Sequence, residues 1–181
     1  KWSSYSNYIQ GSSEEITGST VIRYTTTNGS IITPPSIYTV IRNEYVNGIG
    51  ELEVLGDIRL ISGFSGKTTL QSIEIPDSVI SIGNSAFSGC TGLTGELVIP
   101  DSVTSIGNNA FYSCSKLTSL TFGNGVTSIG DSAFQHCSGL TSITCKSPIA
   151  PSIDSYTFYQ VKNGGILYYP LGSDYSKWLS T

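Results

Sequence analysis

The sequence predicts a mainly β solenoid, a stack of near-identical coils of 23 to 24 residues closed at both ends by irregular segments. Three observations carry that expectation. Phe87, Phe111, Phe134 and Phe158 recur at spacings of 24, 23 and 24. Their neighbours recur in register: Ala86, Ala110 and Ala133 just before, Cys90, Cys114 and Cys137 just after, and Ile82, Ile106 and Ile129 upstream, each followed by glycine. No segment has the length or the 3.6-residue period of a full helix.

Each unit opens at Leu70, Leu93, Leu117 or Leu140 with a piece that alternates apolar and polar, as in Leu120-Thr121-Phe122 and Ile143-Thr144-Cys145. That alternation predicts a half-buried strand. Pro76 and Pro100 close it, because proline cannot donate to a ladder. Val79, Val103, Val126 and Ile149 then form a column expected to point inward. The β-branched run Val103-Thr104-Ser105-Ile106 ends at Gly107, where the chain is expected to bend, and Asn109-Ala110-Phe111-Tyr112 reads as one helical or 3₁₀ turn. A unit this short cannot bury its apolar face alone. Stacked at ~4.8 Å, equivalent side chains of successive coils cover one another.

Two departures from the period are informative. An extra residue near Gly95-Glu96 predicts a bulge before Leu97. Another lies near Ala150-Pro151-Ser152, in a last unit where Thr157-Phe158 replaces Ala-Phe and Val161 replaces cysteine.

The open ends of such a stack need covering. Upstream, Asn28-Gly29 and Asn47-Gly48 predict tight hairpins, the first joining 21–27 to 30–33 and the second joining 38–46 to 49–55. Leu52, Val54, Ile58, Ile61 and Phe64 imitate a shortened repeat. Downstream, 165–170 reads as a final strand, and 174–179 as a helical turn laying Tyr175 and Trp178 over the last coil. The expected organisation is a polar, loose segment over 1–18, with Trp2, Tyr5 and Tyr8 free to pack. A β-hairpin cap merging into an atypical repeat follows over 19–69, then about four repeats over 70–161 and a short cap over 162–181.

Composition narrows the function classes. Of 181 residues only 12% are charged, against the usual quarter, and Ser, Thr, Gly and Asn fill the gap. The net charge is −4 with no block of like charges, which argues against nucleic acid as a partner. No apolar run approaches the ~20 residues of a transmembrane segment. The polar start is read as a boundary from which any targeting segment has been removed. Val161 standing in the cysteine column marks that column as apolar space. Cys90, Cys114 and Cys137, with Cys145 in the column of Ile75, Ile99 and Phe122, are therefore read as reduced, buried thiols. A disulfide between adjacent coils and a metal site are the alternatives.

The units Ile75-Pro76-Asp77-Ser78-Val79-Ile80-Ser81-Ile82-Gly83-Asn84-Ser85-Ala86-Phe87-Ser88-Gly89-Cys90 and Ile99-Pro100-Asp101-Ser102-Val103-Thr104-Ser105-Ile106-Gly107-Asn108-Asn109-Ala110-Phe111-Tyr112-Ser113-Cys114 resemble the BspA-like class of leucine-rich repeats. The likeness covers residues 70–160. Tyr24-Thr25-Thr26-Thr27-Asn28-Gly29 and Leu167-Tyr168-Tyr169-Pro170 look like the flanks such proteins carry. The resemblance implies a right-handed leucine-rich-repeat solenoid and a secreted or surface-anchored protein of a host-associated bacterium. It also implies adhesion through host proteins or neighbouring cells, and it supplies no catalytic residues.

The groups with reactive or metal-ligating side chains have plainer readings. His136, beside Cys137, is expected to point outward, with no nucleophile tied to it by spacing. Asp77, Asp101 and Asn124 stack in successive coils; such a ladder can hold calcium, but each is expected to bond its own turn backbone. Glu14-Glu15 and Glu51/Glu53 are surface acids with no cleft implied. The chain is therefore expected not to be an enzyme and to have no catalytic, cofactor-binding or metal-binding residues. The expected interaction face is the outward row of the repeat strands: Ser72, Glu74, Glu96, Val98, Ser119, Thr121, Ser142 and Thr144. It lacks the large anchors that dominate binding energy. The aromatic residues Tyr156, Tyr159, Tyr168, Tyr169, Tyr175 and Trp178 gather at the end, where they are expected mainly to pack the cap. The functional expectation is a monomeric surface or secreted module binding host or neighbouring-cell protein. A passive spacer is the alternative, and a carbohydrate-binding or carbohydrate-active domain a distant third.

Overall fold

The structure, a computed structural model, describes residues 18–179. All of the segment 1–18 except Gly18, with Trp2, Tyr5, Tyr8 and Glu14-Glu15, lies outside the described residues. Twelve strands and one 3₁₀ turn follow in chain order. They are β1 (Ser19–Thr26), β2 (Val40–Val46), β3 (Ile49–Leu55), β4 (Leu60–Ile61), β5 (Leu70–Ile73), β6 (Ser81–Ile82), β7 (Gly95–Ile99), β8 (Ser105–Ile106), β9 (Leu117–Phe122), β10 (Ser128–Ile129), β11 (Ser142–Cys145) and β12 (Ile166–Tyr168), then the 3₁₀ turn Ser176–Leu179.

Two parallel sheets, ordered β7-β9-β11-β12 and β4-β6-β8-β10, run along the stack, and the two central coils contribute one strand to each. The isoleucine column is in register, with Ile61, Ile82, Ile106 and Ile129 paired in turn and all buried. The third wall is the Ala-Phe segment. Its five phenylalanines, from Phe64 to Phe158, stack with centroids 5.1, 5.1, 5.2 and 5.6 Å apart and planes within 15°. Phe64 thus carries the stack one coil upstream of Leu70.

The Ala-Phe segments close 3₁₀-type rings, such as Ala110 N to Gly107 O and Cys114 N to Phe111 O, but none propagates. Left-handed residues interrupt them at Ser85, Asn109 and Ser132, and again at Gly89, Ser113, His136 and Gln160. Between these interruptions backbone N–H groups point to the next coil: Phe87 donates to Ala110 O at 2.7 Å and Phe111 to Ala133 O at 2.8 Å. The wall is a backbone ladder without strands. Gly107 and Gly130 have no left-handed φ, so no bend requires glycine there. A Cβ on Gly107 would sit 2.6 Å from the backbone nitrogen of Asn84 in the preceding coil. These glycines are required by the closeness of stacking, not by a turn.

The register irregularity between Gly95 and Glu96 falls where the extra residue was expected. The other insertion corrects one expected position. Ile149 is 79% exposed, and Ala150 packs against the core in its place. The extra residue enters before Ala150, in a turn closed by Ser147 Oγ donating to Ile149 O at 2.7 Å.

Upstream, β2 and β3 form the expected hairpin, with Asn47 and Gly48 at φ 52 and 85. The other hairpin does not form: 30–33 is not a strand. β1 is flanked by β3 on one edge and β5 on the other, so no edge is left for it. Pro34 and Pro35 follow, without N–H groups to give a ladder. The segment is tied down instead by Tyr24 Oη, which accepts from Ile32 N at 3.3 Å, and by Thr26 Oγ1, which donates to Ser30 O at 2.8 Å. At the far end Trp178 stands 5.2 Å from Phe158 and donates Nε1–H to Pro151 O, while Tyr175 donates its hydroxyl to Ser147 O.

Candidate interaction face

Parallel pairing in register sets outward side chains of successive coils side by side. Glu96, Ser119 and Ser142 form one row, Val98, Thr121 and Thr144 the other. The buried row between them is Leu97 and Leu120, continued by the half-buried Ile143. Six of the eight expected residues are therefore brought together on one sheet. The structure sets the other two apart. β5 belongs to the antiparallel sheet β2-β3-β1-β5, so Ser72 and Glu74 face its outer side. Ser72 Oγ lies 2.7 Å from Thr25 Oγ1, and Glu74 takes a weak ion pair with Arg23 at 4.0 Å. β5 pairs with β1 and not with β7, and the backbone bond Thr94 N to Gln71 O at 3.0 Å links its coil to the next.

The pairing also adds residues that the sequence reading had assigned to the cap. β12 continues the sheet with Ile166 beside Ser142 and Tyr168 beside Thr144. Both are exposed, at 55% and 52%. The rows therefore end in one aliphatic and one aromatic group, the anchors the repeat itself lacks. Of the six end aromatics only Tyr175 and Trp178 are buried; Tyr156, Tyr159, Tyr168 and Tyr169 are exposed. At the opposite border Glu96 accepts a hydrogen bond from Thr121 Oγ1 at 2.6 Å.

Two shallow grooves adjoin these surfaces. One, on the antiparallel sheet, is lined by Arg23, Arg42, Glu44, Glu51, Val46 and Ile49. Its charges are mutually engaged, with Arg42 at 3.3 Å from Glu44, Glu51 and Glu53. The carboxyl of Glu53 is held below its usual range by the Ser19 hydroxyl and by Arg42. The second groove lies beyond Val98 and is lined by Asp77, Pro100, Asp101, Ser102 and Lys146. Asp101 does not bond its own turn: its Oδ1 accepts from Asn124 N of the next coil at 2.9 Å. Asn84 and Asn108 do the same for the N–H groups of Asn108 and Asp131. These side chains cross-link coils, a role that the turn chemistry of a single unit does not reveal.

Among the described residues no three His, Cys, Asp or Glu side chains gather to hold a metal ion. His136 is half-buried and packs edge-on to Tyr112 at 5.1 Å. The four cysteines are free and buried. Cys90, Cys114 and Cys137 each direct the thiol to the Phe carbonyl of the preceding coil, at 3.0, 3.2 and 3.2 Å. Burial pushes Cys90 up to about 11 and Cys137 up to about 12, and raises Cys114 further. The folded chain is expected to resist a thiol-reactive dye and to release four titratable thiols on denaturation without reductant; two or fewer would establish a disulfide.

A profile of the BspA type leucine rich repeat region matches residues 61–170 in 6 copies. No curated protein matches the chain. Among solved structures, a leucine-rich repeat protein from Bacteroides ovatus is 26% identical with a TM-score of 0.52, over 64% of this chain and 28% of that one. A leucine rich cell surface protein from Faecalibacterium prausnitzii is 23% identical with a TM-score of 0.34, over 82% of this chain and 42% of that one. The chain thus spans less than half the length of either. No helix among the described residues is long and apolar enough to cross a membrane.

Proposed function

The chain belongs to the BspA-type leucine-rich-repeat family, and from that premise we propose that it is a non-enzymatic interaction module, secreted or held at the bacterial surface, that adheres to host or neighbouring-cell protein. The outward face of β7, β9, β11 and β12 carries this reading. It is a rigid sheet of short neutral side chains ending in the exposed Ile166 and Tyr168. Preformed faces lose little freedom on binding, and tyrosine is among the residues that contribute most at interfaces. The surface location rests on the family and on a charge content of 12%. The absence of enzymatic activity is supported by how the polar groups are used: the asparagine and aspartate side chains that recur cross-link coils. The module acts as a monomer. The neutral Ser and Thr rows favour one second reading, a spacer with no ligand of its own.

Ser119→Trp and Thr144→Trp stand bulky groups on this face without touching the core. Saturable binding of immobilised chain to purified extracellular host proteins is expected, and both variants are expected to abolish it. Binding left intact in both would remove the face from the reading; no binding to any matrix protein would favour the spacer.

A further inference from the structure

The face is chemically lopsided across its strands. In β7, β9, β11 and β12 the one charged residue is Glu96. It makes no ion pair among the described residues, and its sole polar contact there is the Thr121 hydroxyl. On the neighbouring antiparallel sheet Glu74 has a side chain 74% exposed, with Arg23 only at 4.0 Å. Past Val98 the adjoining groove adds Asp77 and Asp101 against the single cation Lys146. The two arginines of the antiparallel sheet are engaged by Glu44, Glu51 and Glu53. Carboxylates therefore outnumber free cations at this border. At the opposite border stand Ile166 and Tyr168, with neutral Ser and Thr between.

We propose that this face takes a polypeptide that sets a lysine or arginine over Glu96 and an apolar side chain over Ile166 and Tyr168. The inference rests on the reading of the face as an interaction surface and names the partner's chemistry. Charge complementarity fixes the sign: an anionic occupant, such as a sulfated glycan or an acidic peptide, meets unpaired carboxylates and is repelled. Register fixes the spacing. Three strand-to-strand steps separate β7 from β12, about 14 Å in all. An extended peptide crossing the strands covers that distance in about four residues, which also returns both side chains to the same side. The recognition element is thus a cation and an apolar group four positions apart on an extended segment, or their equivalent on a folded surface.

The test uses the full chain, isotope-labelled, and three probes. One is a capped heptapeptide of Ser and Thr carrying Lys and, four positions on, Leu. The second has Glu in place of Lys, and the third is heparin. At millimolar peptide the lysine probe is expected to shift the amide signals of Glu96, Thr121, Thr144 and Tyr168, and the glutamate probe to bind at least about tenfold more weakly. Glu96→Lys is expected to reverse that order, and Tyr168→Ser to weaken the lysine probe while leaving its preference over the glutamate probe unchanged. Equal binding of the two peptides, shifts confined to β2 and β3, heparin bound at the face, or no shift with either peptide would each overturn the proposal. If the tryptophan variants abolish host-protein binding while the peptides fail, the partner chemistry falls and the face stands. If the tryptophan variants change nothing, the face itself falls.

Discussion

Phe111→Ala is expected to destabilise the fold by about 3–5 kcal/mol, the range for truncating a buried aromatic side chain. The ring is fully buried and lies between Phe87 at 5.1 Å and Phe134 at 5.2 Å, with planes tilted by 7° and 6°. Offset stacking adds to burial. The cavity cannot easily collapse, because the coils on both sides are held apart by backbone bonds at fixed spacing: Phe87 N to Ala110 O and Phe111 N to Ala133 O. A central coil also makes two interfaces, and in a stack stability is close to a sum over neighbouring pairs. Phe158→Ala, at the half-buried end of the column, is expected to cost less. Urea denaturation of the two variants checks both statements. A loss below about 1 kcal/mol for Phe111→Ala would contradict the stacking, since truncating a buried aromatic ring costs about 3–5 kcal/mol.

The difference between what could be read in the sequence and what could not has one physical origin. Wherever residues recur, the sequence states its own register: Ile82, Ile106 and Ile129 had to lie on one another, and they do. The same repetition identified Cys90, Cys114 and Cys137 as interior and the Gly95 insertion as an irregularity. Segments that occur once carry no such internal alignment. Asn28-Gly29 is as good a hairpin signal as Asn47-Gly48, yet only tertiary pairing reveals that β1 has no free edge. β12 likewise resembles no earlier strand, so nothing in the sequence placed Tyr168 beside Thr144. The face could be read through its repeating rows and not at its borders. Both borders lie where the repeat ends or is interrupted, at β12 and at the extra residue before Leu97. Inter-coil side-chain bonds were hidden for a related reason. Asn84 and Asp101 have short polar side chains that satisfy a turn in isolation, and only the neighbouring coil offers them a better donor.

Alkali is expected to unfold this chain earlier than its modest charge would suggest, and the thiol ladder is the cause. Burial raises the folded pKa of Cys90 to about 11 and of Cys137 to about 12, and raises those of Cys114 and Cys145 as well. In the unfolded chain each thiol ionises near its ordinary value of about 8.5. Below that pH both states are protonated and the thiols' contribution is intact. Above it the unfolded state sheds protons that the folded state keeps, so stability falls as pH rises toward the folded values. Each thiol costs about 1.4 kcal/mol per pH unit in that window. With several such groups acting together against a total of about 5–15 kcal/mol, cooperative unfolding is expected between about pH 10 and 11. Tyr24 and Tyr175, both raised by burial, steepen the loss beyond their ordinary value of 10.0. General repulsion also grows in alkali, so the decisive measurement is a difference. Cys114→Ala removes one titration from the centre of the ladder, and its stability is expected to fall less steeply with pH than that of the parent chain. The substitution loses some packing at neutral pH, so the two denaturation curves are compared by slope against pH. Parallel slopes from pH 8 upward, or a parent chain still folded at about pH 12, would mean that the sulfur column is wetter than its burial implies.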